Sequence, residues 1–162
     1  MILEEVFVAA SLLVLPAWLL LAFAPRWSWT DRVVQRIWIP ALIGLCYLTV
    51  LLAKPAVPPG ADMKSVAGLT VLFSSPHAAL MAWLHFLAFD LFTAAWQVRD
   101  ARRLGIRHRY VVPCLIFTFM LGPIGLLFYF IVRWVAGGGI YLREASRPEL
   151  SGRQRASVEW SG

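Results

Sequence analysis

The chain has 162 residues, 60% of them hydrophobic and only 15% charged, with a mean hydropathy of +0.70. That composition excludes an ordinary soluble globular domain, and the length argues against several independent functional units. The net charge of +6 comes from 15 Lys plus Arg against 9 Asp plus Glu; the bases cluster in connectors between apolar runs, where positive-inside topology and anionic headgroups account for them, so no nucleic-acid partner is expected.

In chain order, Glu4 and Glu5 precede the first apolar run without a basic residue. That is the wrong charge for a secretory leader, so the first span is expected to stay in the mature protein. Stretches 6–24, 37–53, 76–98 and 110–132 each reach the roughly 17 to 25 apolar residues needed to cross a bilayer as helix. The predicted fold is therefore all-α, a polytopic integral membrane bundle of four transmembrane helices within residues 1–136. Between the second and third spans, 54–75 opens with Pro55, Pro58, Pro59 and Gly60, and its apolar piece 66–73 is too short to span and is expected at the interface. Connectors 25–36 and 99–109 carry Arg26, Arg32, Arg36, Arg99, Arg102, Arg103, Arg107 and Arg109, and are predicted to be cytoplasmic. Both termini then fall outside the cytoplasm, although the tail carries Arg143, Arg147, Arg153 and Arg155. Beyond Gly137, Gly138 and Gly139 the chain turns polar and aperiodic, and 137–162 reads as a mobile tail. Cys46 and Cys114 lie in apolar runs and are expected to be free thiols. Trp27, Trp29, Trp38, Trp83, Trp96 and Trp134 fall mostly near span ends.

The third span carries Asp90 well away from either interface. An isolated carboxylate there costs at least about 2.5 kcal/mol, so it must be paired, protonated or facing water. Steps of three and four residues put Asp90, Thr93, Gln97 and Asp100 on one helical face, a polar stripe expected to face the bundle interior. The structural alternative is a hydrogen bond from Asp90 to Tyr47, Thr118 or Tyr129 on a neighbouring helix. His85 is five residues before Asp90, about 140° around the helix and about 7.5 Å along it, so the two cannot chelate one ion from a straight helix. No HExxH, CxxC or carboxylate quartet is present, and neither a metal nor another cofactor is expected. Pro113 and the Gly122, Pro123, Gly125 cluster are predicted to kink the fourth helix or to allow close packing.

The run Phe73-Ser-Ser-Pro76, then Trp83-Leu-His-Phe-Leu-Ala-Phe-Asp-Leu-Phe92, Trp96, Arg99-Asp-Ala-Arg-Arg-Leu-Gly-Ile106, His108 and Pro113 to Tyr129 resembles the abscisic-acid-deficient-four family of membrane proteins, the plant and algal neoxanthin synthases and their bacterial relatives. The resemblance covers about residues 73 to 133; the first two spans match only in hydropathy. It implies carotenoid chemistry, namely the opening of a xanthophyll epoxide to an allenic alcohol without net redox. Such a reaction needs an acid for the epoxide oxygen and a base for a neighbouring C–H proton. Asp90 is the expected acid and His85 the expected base, with Thr93, Gln97, Arg99, Asp100, Thr118 and Tyr129 binding the hydroxylated ring. The chain shows no plastid transit extension, which points to a bacterial inner membrane, and to a related xanthophyll or other isoprenoid as substrate.

Two further readings compete. A non-catalytic carotenoid-binding or assembly subunit would use the 10 Phe, 8 Trp and 4 Tyr to grip a polyene or a partner complex. A proton or solute transporter would use Asp90 as a relay, but four spans enclose only a narrow path unless the protein forms a homo-oligomer.

Overall fold

The computed structural model describes residues 2–36, 38–53 and 56–139, and every regular element among them is helical. In chain order these are α1 (Ile2–Phe23), α2 (Ser28–Val33), α3 (Trp38–Leu52), α4 (Val66–Phe73), α5 (Pro76–Arg103), α6 (His108–Leu121) and α7 (Pro123–Val135). Three helical stretches, Ile2–Phe23, Ser28–Leu52 and Pro76–Arg103, are long and apolar enough to cross a membrane.

The centre of the bundle is α5. It starts at Pro76, whose fixed φ and missing N–H suit the first helical position. It ends with Arg102 and Arg103 in the last turn, where cations complement the dipole, and reverses at Gly105 with φ of +69°. Its buried residues Leu80, Leu84, Leu87, Leu91, Ala94, Val98 and Ala101 alternate steps of four and three, the spacing of a knobs-into-holes seam. On α1, Ala10, Val14, Ala17 and Leu21 repeat that spacing and pack on α5, the alanines allowing close approach. The two helices run parallel: Phe7 meets Trp83 with ring centroids 5.2 Å apart, whereas Ala22 accepts a hydrogen bond of 2.8 Å from His108, beyond the far end of α5. α3 runs back along the other flank, burying Ile39, Ile43 and Val50. The expected short helix at 66–73 is α4, started by the Ser65 side chain accepting from the Gly68 N–H at 2.9 Å.

The fourth segment departs from expectation. Instead of one kinked helix over 110–132, the chain breaks at Gly122 and folds back on itself. Phe117 packs edge-on against Phe128 with ring centroids 4.8 Å apart, and Tyr110, Pro113 and Cys114 line one cavity with Phe128, Ile131 and Val132. α6 and α7 are therefore antiparallel arms of a hairpin. The reason is local. Pro123 disfavours helical geometry at Gly122, which instead adopts φ +49° and ψ −98°, a conformation L side chains rarely enter. With 14 and 13 residues, the arms rise only about 21 and 20 Å, short of the roughly 30 Å hydrocarbon core. The tip lies against Asp90, which is 14 residues from the start of α5 and 13 from its end. The hairpin thus reaches the middle of the bundle and returns.

Two consequences follow from that geometry. A Cβ at Gly125 would fall on the Thr118 backbone, so Gly125→Ala is expected to force the arms apart and cost about 1–3 kcal/mol. Thermal unfolding in detergent checks this against Gly44→Ala, where an added Cβ meets nothing; equal midpoints would mean that the arms tolerate separation. The second concerns topology. α7 ends beside Asp100 and Arg103, at the arginine-rich end, opposite the start of α1. The C-terminus, whose side was expected to match that of the N-terminus, lies outside the described residues, and what is seen is that the end of α7 and the start of α1 are at opposite ends of the bundle. In a cysteine-free background, single cysteines at Arg107 and Ala136 should be labelled by an impermeant maleimide from the same side. Labelling from opposite sides would mean a full fourth crossing. The expected polar tail lies outside the described residues, apart from Gly137 to Gly139.

Candidate functional site

Because the hairpin stops at mid-bundle, the half of the α5 face beyond its tip is left without that cover. A cleft of about 530 Å³ lies there, walled by α1 and α5 and floored by residues 119–123. Its lining includes Ser11, Val14, Trp18, Trp83, Phe86 and Gly122, and Asp90 is the one ionisable residue among the lining side chains. The walls are braced: Trp83 Nε1 donates to Ser11 Oγ at 2.9 Å, Ser11 in turn donates to the Phe7 carbonyl at 2.7 Å, and Trp18 packs edge-on against Phe119 at 5.2 Å. At the floor, a Cβ placed on Gly122 would stand 3.1 Å from Asp90 Oδ1. Gly122 therefore serves two needs, the reversal of the chain and close approach to the carboxyl. The rim residues Leu15, Met120 and Leu121 are exposed, so the cleft opens on the apolar outer surface of the bundle.

None of the three hydroxyls expected as a structural partner of Asp90 is engaged with it. Thr118 donates to the Cys114 carbonyl and accepts from Gln97 Nε2 at 3.0 Å, Tyr129 donates to Asp100 Oδ2 at 2.8 Å, and Tyr47 lines a different cavity.

The predicted site residues separate into three places. Asp90 is in the cleft and Thr93, half-buried, is one turn away toward the arginine-rich end. His85 is exposed, stacks on Phe89 at 4.5 Å, and lines a second, almost wholly apolar cavity of about 400 Å³ formed by α3, α4, α5 and the connector before α4. Phe86 lines both cavities and stands between them. Gln97, Asp100, Thr118 and Tyr129 are buried and engaged with one another across the α5–hairpin interface. Arg99 is exposed at the arginine-rich end, donating to Gln35 at 2.9 Å.

Arg133 is the residue that sequence reasoning missed. It is 3% exposed, and its Nε donates to Asp100 Oδ2 at 2.8 Å; Arg103 pairs with the other oxygen. Its position one past the expected end of the fourth span made it look like an interfacial base. The available signal was its spacing: Gly125, Tyr129 and Arg133 are four apart, and so share one face of a helix. No cluster of three potential metal ligands occurs among the described residues. Both cysteines are free.

Comparison with known proteins gives a consistent picture. Residues 5–129 match the family described as ABA DEFICIENT 4-like, a range running from α1 into α7 and including the Asp90 cleft. Protein ABA DEFICIENT 4, chloroplastic, of Arabidopsis thaliana is 26% identical over 138 residues, covering 80% of this chain and 61% of the relative, so the chain spans about three fifths of that protein's length. No solved structure matches the chain. With more than three quarters of its length inside the family match, the chain belongs to the ABA DEFICIENT 4-like family.

Proposed function

We propose that this protein is a membrane-embedded, carotenoid-modifying enzyme, an isomerase that opens the epoxide of a xanthophyll-like isoprenoid to an allenic alcohol. The observation that carries the reading is a lone carboxyl, Asp90, on the floor of an apolar cleft that opens on the outer surface of the bundle. An apolar substrate with a polar end ring can enter such a cleft sideways from the bilayer, leaving the polyene against Trp18, Trp83, Phe86 and Phe119. Asp90 delivers its proton to the epoxide oxygen as the C–O bond breaks. The carboxylate so formed is itself a base, and taking the proton from the adjacent vinylic carbon completes the allene and restores the acid. One residue then closes the proton balance, and His85, across Phe86, acts on the portion of the substrate that reaches the neighbouring cavity. Thr93 and Arg99 bind toward the polar end of α5, while Gln97, Asp100, Thr118 and Tyr129 act by holding the hairpin tip against Asp90.

The second reading, a non-catalytic carotenoid-binding or assembly subunit, is favoured by the aromatic walls of the cleft. Expression in cells that accumulate epoxidised carotenoids, followed by chromatography and mass measurement of the pigments, separates the two. A new pigment of unchanged mass supports the isomerase. Pigment that copurifies unaltered at fixed stoichiometry supports the binding subunit.

A further inference from the structure

At the arginine-rich end a polar cavity of about 290 Å³ lies apart from the Asp90 cleft, formed by the α1–α2 connector, the end of α5 and the α5–α6 connector. Its lining brings together Arg26, Arg102, Arg107 and His108 from these three segments, with no acidic residue among the lining side chains. The acid paired with this cluster is Asp31, which accepts from Arg102 Nη1 at 2.8 Å. That leaves Nε and Nη2 of the same guanidinium buried and without a partner among the described residues. Both donors are closed to water as the side chain stands, so they meet a ligand only when the guanidinium turns toward the cavity, where such a two-donor edge binds a tetrahedral oxyanion in bidentate fashion. His108 donates Nε2 to the Ala22 carbonyl at 2.8 Å, which ties the start of α6 to the end of α1 and holds the walls in place.

Positive-inside bias alone explains arginines in connectors, but it does not explain why three of them converge on one cavity with buried donors left over. We infer that this cavity is a phosphate-binding site. Its ligand is a phosphate group presented either by the headgroup of an anionic phospholipid or as the free anion, with Arg102 as the bidentate anchor and Arg26 and Arg107 as flanking charges. Occupancy would neutralise the cluster and clamp α1 and α5 to the start of the hairpin.

The test uses the full-length protein in a neutral detergent, with thermal unfolding midpoints and native mass spectrometry as readouts. Phosphatidylglycerol, phosphatidylcholine and inorganic phosphate are titrated separately, because a ligand of the folded state raises the midpoint progressively with the ratio of its concentration to its Kd. Arg26→Gln/Arg107→Gln changes two exposed side chains of the cavity, and Arg32→Gln/Arg36→Gln changes two bases of the same end that do not line it. Phosphatidylglycerol retained as a stoichiometric adduct, with affinity lowered about tenfold or more in the first variant and unchanged in the second, identifies a headgroup site. The same pattern with inorganic phosphate identifies a free-anion site. Equal loss in both variants, equal retention of phosphatidylcholine, or no stabilisation by any of the three overturns the proposal.

Discussion

Asp90→Asn is expected to lower pigment conversion by about 10²- to 10⁴-fold, the range that a positioned general acid contributes, while pigment still copurifies with the protein. Asparagine keeps the shape and most of the polarity of the carboxyl but has no proton to donate, so the cleft and its apolar walls are unchanged. Binding and chemistry are thereby separated: the cleft is built by Trp18, Trp83, Phe86 and Phe119, and the proposed reaction rests on one oxygen-borne proton. Conversion by the variant at the wild-type rate would remove Asp90 from the mechanism. Loss of both conversion and bound pigment would mean that the carboxyl holds the substrate. His85→Gln carries a smaller expectation, because the ring opens on the neighbouring cavity and Phe86 stands between it and the carboxyl. A modest change in conversion is expected there, with the larger effect on which substrates bind.

Breaking the ion pair between Asp100 and Arg133 is expected to be the most destabilising polar change in the molecule. Both residues are almost fully buried, at 2% and 3% exposure, and removal of one member deprives a buried charge of a partner, which costs up to about 3–5 kcal/mol. The two single changes should not be equal. Arg133→Met leaves Asp100 with Arg103 and the Tyr129 hydroxyl, so part of its charge is still met. Asp100→Leu removes at once the acceptor of the Arg133 guanidinium, of Arg103 and of the Tyr129 hydroxyl. The expected order of unfolding midpoints is wild type, then Arg133→Met, then Asp100→Leu, with the double variant recovering part of the loss because both members of the buried pair are replaced together and, of the remaining charges, only the more exposed Arg103 loses its partner. Because this latch sets the hairpin on α5, the variants that still fold should also convert pigment more slowly, through displacement of the tip beside Asp90. Midpoints for Asp100→Leu and Arg133→Met that both equal the wild-type value would mean that the pair does not hold the hairpin.

The helical architecture, the apolar spans and the placing of Asp90 within one of them were legible without coordinates, each for a physical reason. Apolar runs too long for a soluble core declare themselves by composition, because nothing else can satisfy the backbone in hydrocarbon. A charged residue inside such a run stands out for the opposite reason, as it is costly there. The stripe from Asp90 to Asp100 was visible as helical periodicity, and α5 does bury its Gln97 and Asp100 end.

What periodicity could not reveal was the path of the last segment. Hydropathy counts apolar residues and does not distinguish a 23-residue crossing from two shorter arms folded together. Gly122, Pro123 and Gly125 permit either a kink or a reversal, since a glycine before proline leaves the helix in both cases. The reversal was decided by contacts between residues distant in sequence: Gly125 seated on Thr118, Tyr129 and Arg133 closing on Asp100, and Gln97 bonded to Thr118. Those contacts turned a predicted fourth crossing into a re-entrant hairpin, moved the end of α7 to the arginine-rich side, and engaged the four buried polar residues across the α5–hairpin interface. They also separated His85 from Asp90, because a side chain's cavity depends on which neighbours pack beside its helix. Composition and spacing act along one chain and settle what each segment can be; the location of the cleft, the carboxyl within it and the separate cavity lined by three arginines arise from the meeting of segments that only the folded bundle brings together.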